Sequence, residues 1–218
     1  MKNTHKLAFT MLELVFVIVV LGLMASLAIP RLERDHLQDA AVQILQDIRY
    51  TQHLALMDDK TNPTQVNWQR SFWMIRFSNV AGEWIYEIAS NMDLGNNIDL
   101  NETAIDPSNG RLFFDNNNGR VDLGESPRIF ISDKFGVTNV DFTTCSPITG
   151  RNGINGSQHI GFDYLGRPHK GIFGATNDYR SIMQEDCTIK FTMSDNQEFN
   201  ITIEQQTGHA FIGGQPDR

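Results

Sequence analysis

The sequence predicts an α+β protein in which a long N-terminal helix packs on an antiparallel β-sheet domain. Three observations support this class. A 21-residue apolar run at 9–29 leads into a segment whose apolar residues have helical spacing. Short runs rich in Phe, Ile, Thr and Val follow, most of them alternating apolar with polar residues, and turn-forming residues separate them. No period of about 30 residues indicates βαβ units, so an antiparallel sheet is favoured.

The composition of the 218-residue chain excludes several classes of protein. Hydrophobic residues make up 40% of the chain, which is enough for a packed core and excludes wholesale disorder. The net charge of −8 argues against a protein that holds nucleic acid by neutralising many phosphates. Two cysteines are too few for a disulfide scaffold or for a four-cysteine zinc site.

The N-terminal 30 residues read as a short basic segment, 1–8, and an apolar run, 9–29, with a single charged residue, Glu13. As a helix the run would span about 31 Å, the thickness of one bilayer core. Two simpler alternatives are a cleaved signal peptide, with Ser26 and Ala28 as the small residues, and a plain membrane anchor. Glu13 argues against both, because a carboxylate at membrane depth costs about 2.5–3.5 kcal/mol and needs compensation.

The stretch Ala8-Phe9-Thr10-Met11-Leu12-Glu13-Leu14-Val15 resembles the N-terminus of type IV prepilins and pseudopilins. That pattern is a small residue, Phe, Thr, two aliphatic residues and Glu, followed by an apolar run; Gly22 and Pro30 are also placed as in this family. The resemblance implies that a prepilin peptidase removes the leader, 1–8, between Ala8 and Phe9, and that the amine of Phe9 is methylated. Ala8 departs from the glycine usual at that position.

The resemblance also implies a location and partners. Residues 9–30 would be a transmembrane helix that later forms the filament core, anchored in the bacterial inner membrane. The chain beyond Pro30 would lie in the periplasm. The implied partners are other pilin or pseudopilin subunits, contacted through the N-terminal helix, the prepilin peptidase and the inner-membrane assembly platform.

Within this resemblance Glu13 is an assembly residue, together with Gly22 and Pro30. Cleavage creates a positive amine on Phe9, and in a core of packed apolar helices that amine can pair with Glu13 of a neighbouring subunit. Pairing offsets the desolvation that each charge suffers alone. The alternative is that Glu13 lies at the headgroup boundary and extends its carboxylate to water.

Residues 31–59 predict an amphipathic helical stem that continues the first helix. Its apolar residues share one face, and the stem is expected to lay that face against a sheet. The stripe consists of Leu37, Ala41, Ile44, Ile48 and Ala55, broadened by Ala40 and Leu45. Asp58, Asp59 and the pair Asn62-Pro63 provide the stop.

Residues 60–218 form the predicted β domain. The predicted strands are 71–77, 84–88, 112–114, 128–131, 137–142, 160–164, 188–193 and 198–204. Turn signals separate them, including Ala81-Gly82 and Leu165-Gly166. The residues SDNQ between the last two runs predict a β-hairpin.

Three shorter stretches resemble the H-type minor pseudopilin of type II secretion and its relatives among minor pilins. They are 47–55 (DIRYTQHLA), 161–168 (GFDYLGRP), and 201–203 (ITI) with Thr207-Gly208. The resemblance implies a non-enzymatic structural subunit, without a cofactor, of a pseudopilus or a type IV pilus-like filament. The alternative is a minor pilin that binds DNA or a surface at the filament tip. Arg218 is the only arginine of the C-terminal segment TGHAFIGGQPDR, which argues against DNA binding.

Cys145 and Cys187 lie outside the membrane in this topology, in a compartment that is oxidising in bacteria. We therefore predict a disulfide between them. The alternative is a pair of buried free thiols.

Asp115, Asn117, Asp122 and Glu125 lie in an oxygen-rich loop similar to calcium loops of the D-x-N-x-D-G…E kind, but one residue too short. Calcium is the one candidate metal. The more common alternative is a solvated turn in which asparagine adopts left-handed backbone geometry.

Two further patterns carry weaker signals. His159, Asp163 and His169 invite a catalytic interpretation, but no nucleophile elbow or HExxH motif accompanies them, and we predict no enzymatic activity. Asn101-Glu102-Thr103 and Asn200-Ile201-Thr202 are N-x-T sequons, each with an acidic residue two positions upstream. Acidic-preceded sequons resemble those of some bacterial glycosylation systems; chance occurrence is the simpler explanation.

Overall fold

Helix α1 spans Met11–Met57 in the computed structural model. The structure describes residues 11–95, 97–142, 144–145, 158–174 and 179–215, without the side chains of residues 26–35 and 174. The predicted leader and the cleavage site at Ala8 and Phe9 lie outside the described residues. Pro30 lies within α1, although its side chain is not described.

The C-terminal part of α1 packs on the β domain through the predicted apolar stripe. Ala41, Ile44 and Ile48 are completely buried, and Ala55 is buried as well. Leu37 is partly buried and packs against the same core. The prediction that this stripe faces a sheet is therefore confirmed.

Two four-stranded sheets form the β domain. The first has the order β2-β1-β4-β5, and the second has the order β3-β6-β7-β8. The first sheet contains β1 (Trp73–Val80), β2 (Glu83–Ser90), β4 (Gln158–Phe162) and β5 (Pro168–His169). The second contains β3 (Val137–Asp141), β6 (Cys187–Met193), β7 (Glu198–Ile203) and β8 (Ala210–Ile212). Every strand pair is antiparallel, so the predicted α+β class with antiparallel sheets is confirmed.

Turn chemistry accounts for two of the hairpins. Ala81 and Gly82 connect β1 to β2 with positive φ angles of 54° and 94°, a geometry that glycine adopts without strain. The predicted hairpin around SDNQ is confirmed as β6–β7, where Asn196 has a φ of 66°.

Two of the predicted strands are wrong. Residues 128–131 instead belong to a 3₁₀ turn, Pro127–Ile129, and to the short helix α2, Ile131–Phe135. Ser126 starts the turn, because its hydroxyl accepts a hydrogen bond from the Arg128 amide and Pro127 follows it at the first position. In residues 112–114 only Leu112 forms β-bridges, and these are isolated; the Phe113 amide donates a single hydrogen bond to the Ala104 carbonyl at 2.9 Å.

Other boundaries differ by a few residues. Strand β4 begins at Gln158, before the predicted start at residue 160, and ends at Phe162, so Tyr164 lies in the following turn. The short strands β5 and β8 were not predicted.

The main hydrophobic core lies between α1 and both sheets. Phe77 of β1 is central to it, since its ring lies 5.6–5.7 Å from the rings of Tyr86, Phe142 and Phe191. A second, smaller cluster includes Phe72, Met74 and Ile172. Met74 neighbours Ile75 of the main core, and successive strand residues point to opposite faces. Strand β1 is therefore covered on both faces.

Candidate functional site

The N-terminal part of α1 exposes apolar side chains in all directions. Met11 is 88% exposed, Phe16 is 69% exposed and Leu23 is 62% exposed. Glu13 is also exposed, and a Cβ added to Gly22 would meet no described atom within 4 Å. Soluble proteins rarely leave so large and continuous an apolar surface in water. The apolar surface of Met11–Met24 is therefore a candidate binding surface.

In the part of the chain that the structure describes, no helix is both long and apolar enough to cross a bilayer.

A buried polar cluster joins α1 to the first sheet. The Asp47 carboxylate accepts a hydrogen bond from the Tyr86 hydroxyl and another from Arg128 Nε, at 2.8 Å. Gln43, one turn earlier on α1, donates to the Arg128 carbonyl at 2.8 Å and accepts from the Lys134 ammonium. Directional contacts of this kind set the rotation of the helix on the sheet, which apolar packing alone specifies less sharply.

The protonation equilibria of this cluster reflect its burial. Burial raises the pKa of Asp47, and the hydrogen bonds from Arg128 and Tyr86 oppose that shift. Burial, together with the neighbouring Asp47 charge, raises the pKa of Tyr86 well above its ordinary value. The hydroxyl of Tyr86 therefore remains a hydrogen-bond donor throughout the physiological range.

Residues near the C-terminus of α1 contact two loops and the last strand. Gln52 Nε2 donates to the carbonyl oxygens of Gly166, at 2.9 Å, and Thr207, at 2.8 Å. The Arg49 guanidinium donates twice to the carbonyl of Ala210, at 3.0 and 2.8 Å. The two Gln52 contacts bring together parts of the three stretches that resemble the H-type sequences: 47–55, 161–168, and 201–203 with Thr207-Gly208.

Gly208 allows the closest approach at this junction. Its φ is 66°, and a Cβ placed there would lie 2.0 Å from the Gly166 carbonyl oxygen and 2.5 Å from Gln52 Nε2. Only glycine fits this position without moving backbone.

Asp163, His169 and Ser181 are brought together, but inside the protein. His169 Nδ1 lies 2.9 Å from Ser181 Oγ, and Nε2 lies 3.4 Å from Asp163 Oδ2, which also accepts from Arg167 Nε at 2.7 Å. Ser181 is only 4% exposed, and Asp163 and His169 are fully buried. A nucleophile must reach its substrate, so this geometry suits a structural role in holding the 163–167 turn.

His159 lies apart from that group. Its Nε2 accepts a hydrogen bond from the Ile172 amide at 3.1 Å, and its Nδ1 has no hydrogen-bond partner among the described residues. Complete burial, with the nearby charges of Arg76 and Lys170, lowers the pKa of His159 to about 3. His159 is therefore neutral at physiological pH.

The oxygen-rich loop directs its carboxylates at its own backbone. Asp115 accepts from the Gly119 amide at 3.1 Å, and Glu125 accepts from the amides of Asn116 and Asp122, both at 2.9 Å. Asn117 has a φ of 58°, as the solvated-turn alternative anticipates. Within the described ranges, no three His, Cys, Asp or Glu side chains are placed to hold a metal ion. Calcium binding stays a prediction.

A polar cavity of about 420 Å³ borders this loop and is lined by residues that include Arg76, Glu87, Asn97 and Asp115. Arg76 Nε donates to Glu87 Oε2 at 2.9 Å. Burial raises the pKa of Glu87, and the Arg76 charge opposes the shift. Arg76 and Glu87 therefore compensate each other's charge at the cavity wall.

The predicted disulfide is confirmed between Cys145 and Cys187, whose Cα atoms are 4.3 Å apart. It joins the segment after β3 to the first residue of β6. The hydroxyl of Thr144 donates to the Thr188 carbonyl at 2.6 Å and accepts from the Thr188 amide at 3.1 Å. The crosslink therefore extends an existing pairing of the second sheet.

Sequence reasoning missed the polar residues of α1 that bind the sheets. The signal was present, since Gln43, Asp47 and Thr51 recur every fourth residue beside the apolar stripe, and all three are buried. Comparison with known proteins gave no match: no family model, no curated protein and no solved structure is significantly similar to the chain.

Proposed function

We propose that this chain is a structural subunit, and specifically a minor one, of a type II secretion pseudopilus or a type IV pilus-like filament. The observation that carries the proposal is the exposed apolar surface of α1 from Met11 to Met24, on the same helix whose later turns bind the β domain. A surface of this kind needs lipid or other apolar helices around it. The prepilin-like N-terminal sequence implies both surroundings in succession: lipid before assembly, and the helices of neighbouring subunits afterwards.

In this proposal the chain is anchored in the bacterial inner membrane by residues 9–30, with the β domain in the periplasm. The prepilin peptidase removes residues 1–8 and methylates Phe9. The assembly platform then extracts the subunit as its apolar helix packs among those of its neighbours. The apolar surface of the helix is buried in lipid before the transfer and in protein after it, so little hydrophobic free energy opposes the transfer.

Glu13 gives this packing its register. The new amine of Phe9 in one subunit pairs with the Glu13 carboxylate of another, and each charge compensates the desolvation of the other. A buried charge without a partner costs several kcal/mol, so helices that stack out of register are disfavoured.

The contacts between α1 and the sheets suit a subunit that is moved by its helix. Asp47, Gln52 and Arg49 bind three different parts of the β domain. A pull on the helix is therefore transmitted to the whole domain. The finer proposal of an H-type minor pseudopilin is supported by Gln52, which lies in the first of its three sequence stretches and donates to Gly166 of the second and Thr207 of the third.

Mass spectrometry of the native N-terminus tests processing. We expect a chain that begins with N-methylated Phe9. A chain that retains Met1, or one that starts at Ile29 as a secreted signal-peptide product would, contradicts the proposal.

The pairing step is tested with Glu13→Ala in the native cells, with filament yield measured by shearing and immunoblotting. We expect the filament yield to be lost, because the Phe9 amine would have no partner. Glu185→Ala removes an exposed carboxylate from the β domain and is the matched control. Normal assembly of the Glu13→Ala protein would rule out the charge pairing.

A further inference from the structure

The two N-x-T sequons are held by the fold in different ways. The first lies on the 3₁₀ turn Leu100–Glu102, where Asp99, Leu100 and Asn101 are all exposed. The hydroxyl of Thr103 donates to the Leu100 carbonyl at 2.9 Å, so a side chain of the sequon closes the turn. Thr103 also forms an isolated bridge with Ala89 of β2, so opening the turn would break that one bridge but no strand pairing within either sheet.

The buried anchor of the first sequon is its middle residue. The Glu102 carboxylate accepts from the amides of Met92, Asp93 and Asp99, at 2.7, 3.0 and 2.9 Å. The sequon does not specify this middle residue. Of the two residues that the sequon does specify, Asn101 is exposed, and Thr103 contributes one isolated bridge to Ala89 of β2.

The second sequon lies on β7, a central strand. Asn200 pairs with Lys190 on β6, and its carbonyl accepts from the Gly213 amide at 2.8 Å. The Thr202 hydroxyl is bonded to the Thr188 hydroxyl at 3.1 Å. An enzyme could engage this sequon only by pulling a strand out of the middle of the sheet, which requires nearly global unfolding.

An apolar depression borders the first sequon. A cavity of about 670 Å³ is lined by residues that include Leu100, Asn101, Ile105 and Leu112. Leu100 is 53% exposed and Ile105 is 57% exposed. The C–H faces of a sugar pack favourably on such aliphatic surface, so a saccharide attached to Asn101 would cover side chains that are otherwise in contact with water.

We propose that Asn101 is an N-glycosylation site and that Asn200 is not. The donor is a lipid-pyrophosphate-linked oligosaccharide, used by a membrane oligosaccharyltransferase that faces the periplasm. Asn101 Nδ2 forms a bond to the anomeric carbon of the first sugar and loses one proton to a base of the transferase. The bond from that carbon to the pyrophosphate oxygen breaks, and its electron pair leaves with the lipid pyrophosphate. The inference rests on the periplasmic location in the proposed function.

Peptide mass spectrometry of the full chain, purified from its native cells, tests the inference. Trypsin cleaves after Arg76 and Arg111, which isolates Asn101 in peptide 77–111, and after Lys190, which isolates Asn200 in peptide 191–218. We expect the mass of an oligosaccharide, with sugar fragment ions, on peptide 77–111 only. An unmodified peptide 77–111, or equal modification of both peptides, overturns the inference.

Matched variants separate the sequon from its surroundings. Thr103→Val should abolish the modification, because valine is similar in shape to threonine but lacks its hydroxyl. Thr103→Ser should retain the modification, because serine keeps the hydroxyl. Thr202→Val should leave the modification of peptide 77–111 unchanged. The same digest reports the N-terminus: methylated Phe9 with unmodified Asn101 refutes this inference alone, whereas retained Met1 refutes the proposed function.

Discussion

Asp47 of α1 and Tyr86 of β2 share a hydrogen bond between side chains that are almost entirely removed from water, 39 residues apart in sequence. Arg128 completes the contact from the turn before α2. The helix is thus attached to the sheet by a polar group whose partners cannot be replaced by solvent.

Replacing Asp47 with Ala should destabilise the protein. The change leaves the buried Tyr86 hydroxyl without its acceptor and Arg128 without its counter-charge. Because the Arg128 side chain is 20% exposed and can regain some hydration, we expect a loss of about 2–3 kcal/mol. Urea unfolding of the full chain in detergent measures it. Asp39→Ala, at an exposed position of the same helix, is the control and should change stability by less than about 0.5 kcal/mol.

Replacing Gly208 with Ala should cost more than the same change at Gly214. Both glycines have positive φ angles, of 66° and 78°, so both variants incur backbone strain of about 1 kcal/mol. Gly208 also lies against the Gly166 carbonyl, and overpacking there should add about 1–3 kcal/mol. Gly214 has open space around it among the described residues. Equal losses in thermal unfolding would show that the Gln52 junction tolerates displacement.

Acid should destabilise the protein through His159. Its pKa is about 3 when folded, against about 6.5 when unfolded, so the unfolded chain binds the extra proton. The stability that depends on neutral His159 is therefore fully present above pH 6.5. As the pH falls, the free energy of unfolding decreases by about 1.4 kcal/mol per pH unit once the unfolded histidine is protonated.

The measurement is the free energy of unfolding between pH 6.5 and 5. Burial also lowers the pKa of His169, with Asp163 opposing, so His169 adds a slope of the same sign. His159→Gln should therefore reduce the slope without abolishing it, whatever its stability at pH 7. An unchanged slope would contradict burial of His159 in its neutral form.

Removing the disulfide should destabilise the protein by about 4 kcal/mol in the chain-entropy model, given its sequence separation of 42 residues. The double variant Cys145→Ala, Cys187→Ala, compared with the oxidised protein in urea unfolding, measures the loss. Reduced wild-type protein should unfold close to the double variant. An unchanged midpoint would contradict stabilisation of the fold by the crosslink.

Regular patterns in the sequence predicted the fold class, the apolar stripe of α1 and the β6–β7 hairpin. The stripe repeats at helical spacing over several turns, and the hairpin combines alternation with a turn signal. Both patterns depend on near neighbours in the chain, which a sequence displays directly.

Residues 128–131 show why other elements could not be predicted. The run Ile129-Phe130-Ile131 is too short to distinguish a strand from a buried turn, and the capping pair Ser126-Pro127 decides for the turn. Leu112 fails as a strand because its bridge partners, Ile105 and Glu125, belong to loops. The contacts of Asp47 depend on residues brought close only by the complete fold.

The bond from Arg49 to Ala210 joins residues 161 positions apart, and that from Gln52 to Gly166 joins residues 114 apart. The ribosome synthesises Arg49 early and Ala210 almost last. The helix therefore cannot complete its docking until nearly the entire polypeptide has been made. During that interval its apolar stripe is exposed to solvent and accessible to proteases and chaperones. A frameshift or nonsense mutation near the carboxyl end would therefore weaken the docking of α1, the first element to be synthesised, as much as it disrupts the last strand.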